Sequence, residues 1–141
     1  HLAKMVSDLK VAGSITFIGR IEHADLPRYI SVGDVFAMPS RSRLAGLEVE
    51  GLGIVYLEAS ACELPVIAGK SGGAPDAVLE GETGITVDGT NPSEIAKAVI
   101  SLFDDPARAS AMGKQGRQWI YDNWRWEIWA SKFNQLLYTN S

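Results

Sequence analysis

The sequence is poor in cysteine and in positive charge. Cys62 is the single cysteine among 141 residues, so the chain holds no internal disulfide, and its apolar neighbours favour a small core side chain. The 13 Lys and Arg residues are outnumbered by 17 Asp and Glu residues, which gives a formal net charge of −4. Because no cluster of basic side chains is present to displace counterions from phosphates, we expect no nucleic-acid partner.

Long apolar runs are also missing. No stretch approaches the roughly 20 apolar residues that cross a bilayer, and residues 1–10 lack the pattern of a signal peptide. We therefore expect a cytoplasmic protein. The chain opens without Met, in a stretch over residues 2–10 that resembles the end of an amphipathic helix, so we expect a piece of a longer protein.

Two common kinds of binding motif are absent as well. The sequence has no G-x-x-x-x-G-K and no G-x-G-x-x-G that opens a helix after a strand, which argues against nucleotide binding of those kinds. His1 and His23 have no cysteine or acidic partners at metal-ligand spacing, so we expect no metal site.

Short apolar runs alternate with helical patterns in the first part of the chain. The predicted elements are strands over 14–19, 34–39, 65–69 and 84–87, helices over 25–33 and 52–63, and a short helix near 77–79. Asp25 is the expected N-cap of the first of these helices. Strands that are short and apolar on both faces are typical of a doubly wound parallel sheet, so the predicted fold class is α/β.

The last part of the chain has a purely helical pattern. Pro92 begins one helix, Pro106 begins a second, and residues 124–137 form a third. Apolar side chains recur at helical spacing in the third and predict a face packed on another part of the protein, with a membrane surface as the alternative. These side chains are Trp126, Trp129, Phe133, Leu136 and Leu137. We expect one incomplete domain over 1–141, with its α/β part over about 1–103 and closing helices over about 106–139.

The stretch EVEGLGIVYLEASACELPVIAG, residues 48–69, places Gly51 and Gly53 at the start of a predicted helix, between Glu50 and Glu58. In a parallel sheet, ligands bind beyond the carboxyl ends of the strands, where helix N-termini offer N–H groups to a phosphate. Glu50 is then placed to accept hydrogen bonds from sugar hydroxyls, and Glu58, about 12 Å further along a continuous helix, from a ribose. The alternative is a first-turn acid at Glu50 and a solvated residue at Glu58.

The run EGLGIVYLEASACELPVIAGKSGGAPDAV, residues 50–78, resembles the E-x7-E motif and Gly-Gly turn of retaining group 1 glycosyltransferases, whose GT-B fold is shared with bacterial glycogen synthases. Residues 17–40 and 123–137 are similar to the elements that flank this motif in the C-terminal, donor-binding domain of that family. The resemblance implies a Rossmann-like sheet whose first βαβ unit is missing here. The insert RSRLAGLEV, residues 41–49, looks like that of actinobacterial phosphatidylinositol mannosyltransferases.

The resemblance also implies roles for individual residues. Glu50 is the catalytic residue that contacts the hydroxyls of the donor sugar, and Glu58 holds the ribose. The other donor-binding positions lie in the base pocket, at the helix N-terminus and in the Gly-Gly turn: Arg20, Ile21, Gly51, Leu52, Gly53, Ile54, Val55, Gly72 and Gly73. For the last two glycines, a tight turn that needs glycine is an equal alternative.

The implied parent protein is a retaining hexosyltransferase, with GDP-mannose as the first choice of donor, a UDP-hexose as the second, and a glycolipid or glycan acceptor. No metal or other cofactor is expected, since backbone dipoles and cations stabilise the departing diphosphate. The acceptor and any peripheral contact with the inner face of the membrane involve the N-terminal part of the parent, so this piece alone is expected to be inactive. Two alternatives stay open: a non-catalytic nucleotide-sugar-binding module, and a UDP-sugar epimerase of the same fold.

Overall fold

The computed structural model describes residues 1–138. Its helices and strands follow one another as α1 (Leu2–Asp8), α2 (Leu26–Ile30), β1 (Phe36–Met38), α3 (Ile54–Ala61), β2 (Val66–Gly69), β3 (Gly84–Val87), α4 (Pro92–Phe103), α5 (Pro106–Asn123) and α6 (Trp126–Tyr138). Short 3₁₀ turns lie between them at Ala12–Ser14, His23–Asp25, Leu44–Gly46 and Ala74–Ala77.

The central strand β2 belongs to a parallel sheet with the order β1-β2-β3. Phe36 pairs with Val66 between the first two strands, and Val66 pairs with Gly84 between the second and third. All four residues of β2 are buried, because helices cover both of its faces. The α/β fold with a parallel sheet, predicted from the short apolar runs, is confirmed.

Successive side chains of β2 enter two different cores. Val66 and Ala68 pack with Tyr56 and Ala59 of α3, whereas Ile67 packs on the other face of the sheet. The buried partners of Ile67 come from β3, α4 and α5: Val87, Ala98, Leu102, Ala109 and Met112. The helix that follows the glycine-rich stretch is therefore held directly against the central strand.

The strand predicted over residues 14–19 is wrong. The backbone from Ile15 to Gly19 is in neither a helix nor a strand, and Ile15, Phe17 and Ile18 are about half exposed. A strand needs a neighbour that satisfies its backbone hydrogen bonds, and no strand within residues 1–138 pairs with this segment. The apolar pattern was a correct sign of strand propensity, but pairing decides whether a strand forms.

Several element boundaries also differ from the prediction. Helix α2 is shorter than the helix predicted over 25–33. The Asp25 carboxylate, at the N-cap position of α2, makes no capping hydrogen bond and pairs with Arg28 instead. The helix expected from residue 52 begins at Ile54, because Gly53 has a left-handed φ of 75°. The short helix expected near 77–79 lies over Ala74–Ala77, where Pro75 favours an N-terminal position.

The closing helices have local N-caps. The Asn91 side chain accepts hydrogen bonds from the amides of the first turn of α4, and the Asp105 carboxylate accepts one in α5. The apolar face predicted on α6 exists: Trp129 packs on the ring of Trp124, while Trp126 is 86% and Phe133 64% exposed. None of the helices in this part of the chain is both long and apolar enough to cross a bilayer. The expected end of the closing helices, near residue 139, lies outside the described residues.

Candidate functional site

Two loops meet beyond the carboxyl ends of β1 and β2. The first runs from Pro39 to Gly53 and leads into α3, and the second follows Gly69. Hydrogen bonds join them, since the Glu50 N–H donates to Ser71 Oγ at 3.2 Å and the Gly73 N–H donates to the Glu50 carbonyl at 3.0 Å. This edge is where ligands bind in parallel α/β sheets.

The side chain of Glu50 is half-buried at this junction. Its Oε2 accepts a hydrogen bond from Ser40 Oγ at 3.1 Å, while its backbone is fixed by Ser71 and Gly73. The carboxylate thus has one hydrogen-bond donor within residues 1–138, and Glu50 precedes α3 instead of lying in its first turn. Its contact with a donor sugar stays a prediction.

The two glycines of the turn approach the Glu50 backbone so closely that side chains do not fit. A Cβ on Gly72 would overlap the Glu50 carbonyl oxygen, and Gly72 also has a left-handed φ of 54°. A Cβ on Gly73 would overlap the Gly51 carbonyl oxygen, although its own φ is ordinary. The structure thus brings this turn and the Glu50–Gly51 segment together, and the geometry requires glycine at both positions.

The buried side chain of Tyr56 is linked to the Glu50 carboxylate through the Ser40 hydroxyl. The Tyr56 hydroxyl donates to the Met38 carbonyl at 2.7 Å and lies 2.9 Å from Ser40 Oγ, which itself donates to Glu50. Burial raises the pKa of Tyr56 above its usual 10.0, and the negative charge of Glu50 adds to that shift; the hydrogen bond with Ser40 acts in the opposite direction. Tyr56 is therefore a neutral hydrogen-bond donor at physiological pH.

The N-terminus of α3 follows Glu50 closely in the chain, since the helix begins at Ile54. Gly53 is the N-cap, and the amides of Ile54 and Val55 point out of the first turn without a backbone partner within residues 1–138. Leu52 is half-buried and Gly51 exposed, so the backbone here is open to a ligand. Such a terminus carries about half a positive charge and suits a phosphate.

Glu58 lies further along α3, on the rim of two grooves. The first, of about 420 Å³, is lined by apolar side chains that include Trp124 and Trp129, and the second, of about 340 Å³, is lined by His23 and Cys62 among others. The half-buried carboxylate makes no hydrogen bond or ion pair within residues 1–138. The assumption of one continuous helix from Glu50 to Glu58 is wrong, because residues 50–53 are not helical, and the separation of about 12 Å derived from it stays a prediction.

The remaining predicted positions are not brought into contact with the others. Arg20 is exposed and Ile21 half-buried in an irregular segment, and no hydrogen bond or ion pair within residues 1–138 joins either to Glu50 or Glu58. Their role in a base pocket stays a prediction. In the same part of the chain, no group of three or more His, Cys, Asp or Glu side chains is arranged to hold a metal ion.

Comparison with protein families identifies the family of this chain. The family model described as glycosyl transferases group 1 matches residues 1–119. The chain belongs to this family. The resemblance drawn from the E-x7-E motif and the Gly-Gly turn is thereby confirmed, whereas the roles of Glu50 and Glu58 stay predictions.

Curated group 1 relatives share much of the sequence. The GDP-mannose-dependent alpha-(1-6)-phosphatidylinositol monomannoside mannosyltransferase of Mycolicibacterium smegmatis is 54% identical over 136 residues, which are 96% of this chain and 36% of that protein. The GDP-mannose-dependent monoacylated alpha-(1-6)-phosphatidylinositol monomannoside mannosyltransferase of Corynebacterium glutamicum is 45% identical over 96% of this chain and 35% of its own length. The chain therefore spans little more than a third of these group 1 relatives.

Solved structures of glycosyltransferases share the fold. Sucrose-phosphate synthase of Thermosynechococcus elongatus superposes with a TM-score of 0.87 and 33% identity, covering 99% of this chain and 34% of that one. HepE of Anabaena, solved with UDP and glucose, superposes with a TM-score of 0.85 over 98% of this chain and 35% of that one. At 21% identity the second likeness concerns the fold alone. The Rossmann-like GT-B arrangement expected for a group 1 domain is confirmed.

Sequence reasoning missed three members of this group 1 site: Ser40, Tyr56 and Ser71. Ser40 follows a predicted strand end, which was the one available signal for it. Ser71 stands in Gly69-Lys70-Ser71-Gly72-Gly73, which has the spacing of a G-x-S-x-G nucleophile motif. Ser71 is 2% exposed and its hydroxyl is hydrogen-bonded to Ser42 Oγ and the Glu50 amide, so it joins the two loops and is not presented as a nucleophile.

Proposed function

We propose that this chain is the donor-binding part of a retaining glycosyltransferase that transfers mannose from GDP-mannose to a phosphatidylinositol-based glycolipid. One observation carries the proposal: the Glu50 carboxylate, held by Ser40, and the N-terminus of α3 both belong to the loop region beyond the carboxyl end of β1. A carboxylate in this position accepts hydrogen bonds from sugar hydroxyls, while helix N–H groups favour the diphosphate. The names of the relatives specify GDP-mannose and a phosphatidylinositol mannoside, which supports this donor and acceptor.

Each part of the donor has a proposed place. Glu50 contacts the mannose, and the backbone from Gly51 to Val55 contacts the mannose and the diphosphate. Glu58 holds the ribose, because its half-buried carboxylate has no hydrogen-bond partner within residues 1–138 and lies beside a groove large enough for part of a nucleoside. The backbone at Arg20 and Ile21 lines the base pocket in this scheme.

The proposed reaction breaks the bond between the anomeric carbon and the diphosphate. Negative charge then collects on the departing diphosphate, where the N-terminus of α3 lowers its energy. The oxygen of the acceptor hydroxyl forms the new bond to the anomeric carbon on the face that the diphosphate leaves, and its proton passes to the departing diphosphate, so the anomeric configuration is retained. The scheme requires no metal ion, and it places the parent protein in the cytoplasm, in peripheral contact with the membrane that holds the acceptor.

The test uses the full-length protein with GDP-mannose and phosphatidylinositol monomannoside. Glu50→Gln keeps the shape of the side chain but removes its charge, and it is expected to lower kcat about 10- to 150-fold, the effect of a lost charged hydrogen bond. Glu58→Gln is expected mainly to raise the Kd for GDP, measured by calorimetry, by about tenfold. Glu82→Gln is the matched control, because that exposed side chain lies outside the site.

The outcomes separate this function from its alternatives. A protein that binds GDP-mannose but gives no transfer would be a binding module, and conversion of a UDP-sugar to its epimer would identify an epimerase. Product with the opposite anomeric configuration, detected by NMR, would contradict retention. Unchanged kinetics of Glu50→Gln would remove Glu50 from the site.

A further inference from the structure

We propose that the insert at residues 41–49 binds the acceptor: Arg41 and Arg43 pair with the phosphodiester of an anionic glycolipid beside Glu50. The inference rests on the proposed function, since it assumes that Glu50 contacts the transferred sugar. It extends that function to the second substrate, because an acceptor hydroxyl must reach the anomeric carbon of a sugar held at Glu50.

The insert folds into a small closed hairpin. The Arg43 N–H donates to the Glu48 carbonyl at 2.8 Å, and the Glu48 N–H donates back to the Arg43 carbonyl at 3.2 Å, which closes the neck. Leu44 and Ala45, at the tip, both have left-handed φ values, 49° and 53°, although neither is glycine. Such a backbone is costly for residues that carry a Cβ, and strain of this kind concentrates at functional sites.

The neck of the hairpin lines a cavity that includes Glu50. This cavity has a volume of about 290 Å³ and is lined by Ser40, Arg41, Arg43, Glu48, Val49 and Glu50. Glu50 and the two arginines therefore line one open space. A ligand that fills this space contacts both the position proposed for the mannose and a source of positive charge.

The charged residues of this lining are two arginines and two glutamates, and one arginine is in an ion pair with one glutamate. Arg43 Nε lies 3.5 Å from Glu48 Oε2, and both side chains are more than half exposed, so this pair is weak and can exchange for a better partner. Arg41 makes no ion pair within residues 1–138. Guanidinium groups bind phosphate oxygens in a bidentate fashion, so a phosphodiester is the anion that this pair of arginines fits.

The exposed apolar side chains of the hairpin suit the apolar chain of such a lipid. Leu44 is 64% and Leu47 86% exposed, and both follow within a few residues of the arginines. Apolar side chains beside cations suit a molecule that joins a charged phosphodiester to an apolar chain. The acceptor named for the relatives, a phosphatidylinositol monomannoside, has this chemistry.

The experiment measures acceptor kinetics of the full-length protein with Arg41→Gln, Arg43→Gln and the double variant. We expect the KM for phosphatidylinositol monomannoside to rise about tenfold in the double variant, while the KM for GDP-mannose and the Kd for GDP stay within about twofold. Added salt should raise the acceptor KM of the wild-type protein but have less effect on the double variant. Arg28→Gln, in an exposed ion pair on α2, is the matched control.

A second acceptor sharpens the test. An alkyl mannoside lacks the phosphodiester, so wild-type protein and double variant should use it equally well. Leu47→Gln should raise the KM for a long-chain phosphorylated acceptor but not for a short-chain one. An unchanged acceptor KM in the double variant, or an equal loss with both acceptors, would overturn the proposal, as would a rise confined to GDP-mannose.

The failure of this proposal differs from a failure of the proposed function. If the wild-type protein transfers mannose and Glu50→Gln impairs it, but the arginine variants behave as wild type, only the acceptor site is refuted. If the wild-type protein transfers no mannose, both are refuted.

Discussion

Replacement of Gly73 by alanine adds one methyl group where the turn after β2 touches the Glu50–Gly51 backbone. The φ of Gly73 is −86°, which alanine adopts without strain, so the perturbation is steric alone. The new Cβ would lie closer than 3.0 Å to the Gly51 carbonyl oxygen, a distance that real Cβ atoms do not show. Because the obstacle is backbone, one of the two loops has to move by about an ångström.

A displacement of about 1 Å at a catalytic group can cost roughly a hundredfold in rate, equivalent to about 2.7 kcal/mol of transition-state stabilisation. We therefore expect Gly73→Ala to lower kcat/KM for GDP-mannose about a hundredfold in the full-length protein. Gly81→Ala is the matched control: its φ is 76° and its surroundings are open, so it should cost about 1–2 kcal/mol of stability and leave kcat/KM unchanged. Near-native kcat/KM for Gly73→Ala, in a protein that unfolds at the wild-type temperature, would refute the argument that this turn fixes the site.

Three further predictions concern the support of the site and of the fold. Tyr56→Phe removes the hydroxyl that donates to a carbonyl of β1 and orients Ser40 beside the site carboxylate. The substitution should cost about 1–3 kcal/mol of unfolding free energy and lower kcat. Urea unfolding measures the free energy, and steady-state kinetics measure kcat. Leu102→Ala opens a cavity between α4 and the sheet and should cost about 2–5 kcal/mol, whereas alanine at the exposed neighbour Phe103 should cost far less. Hydrogen bonds from the Thr90 hydroxyl and amide hold the pKa of Asp88 below 3.8. The stabilising contribution of the Asp88 carboxylate is therefore present above pH 3.8 and is lost as the pH falls through the lowered pKa. Asp88→Asn should be less stable than wild type at pH 7, and thermal unfolding should show the difference vanish in acid.

The parts of the fold that were predictable have local causes. β2 and β3 are short, apolar and bounded by turn residues, and they form within one residue of their predicted ranges. The N-termini of α4 and α5 follow from Pro92 and Pro106, which stand just after residues that cap with their side chains. Each of these features is decided by a few consecutive residues.

Other features depend on contacts between distant residues, and sequence reasoning could not supply them. The segment over 14–19 has strand propensity but no neighbour that pairs with it in residues 1–138. The hydroxyl contacts of Tyr56 and Ser71 reach across loops to Ser40 and Glu50, so no local pattern marks them. Glu50 itself was found through its motif, but its environment follows from the meeting of two loops.

The backbone of Ser40 sets a limit on how the site can be redesigned. A Cβ on Gly69 or on Gly89 would overlap the Ser40 carbonyl oxygen, so Ser40 touches the last residue of β2 and the segment after β3 without intervening side chains. A mutagenesis library that aims to change the donor sugar therefore gains nothing by varying these two glycines, because every side chain there would displace the backbone at Ser40. Variation is better confined to the rim, where side chains such as Ile54 are exposed and larger or smaller ones can be accepted without moving the backbone.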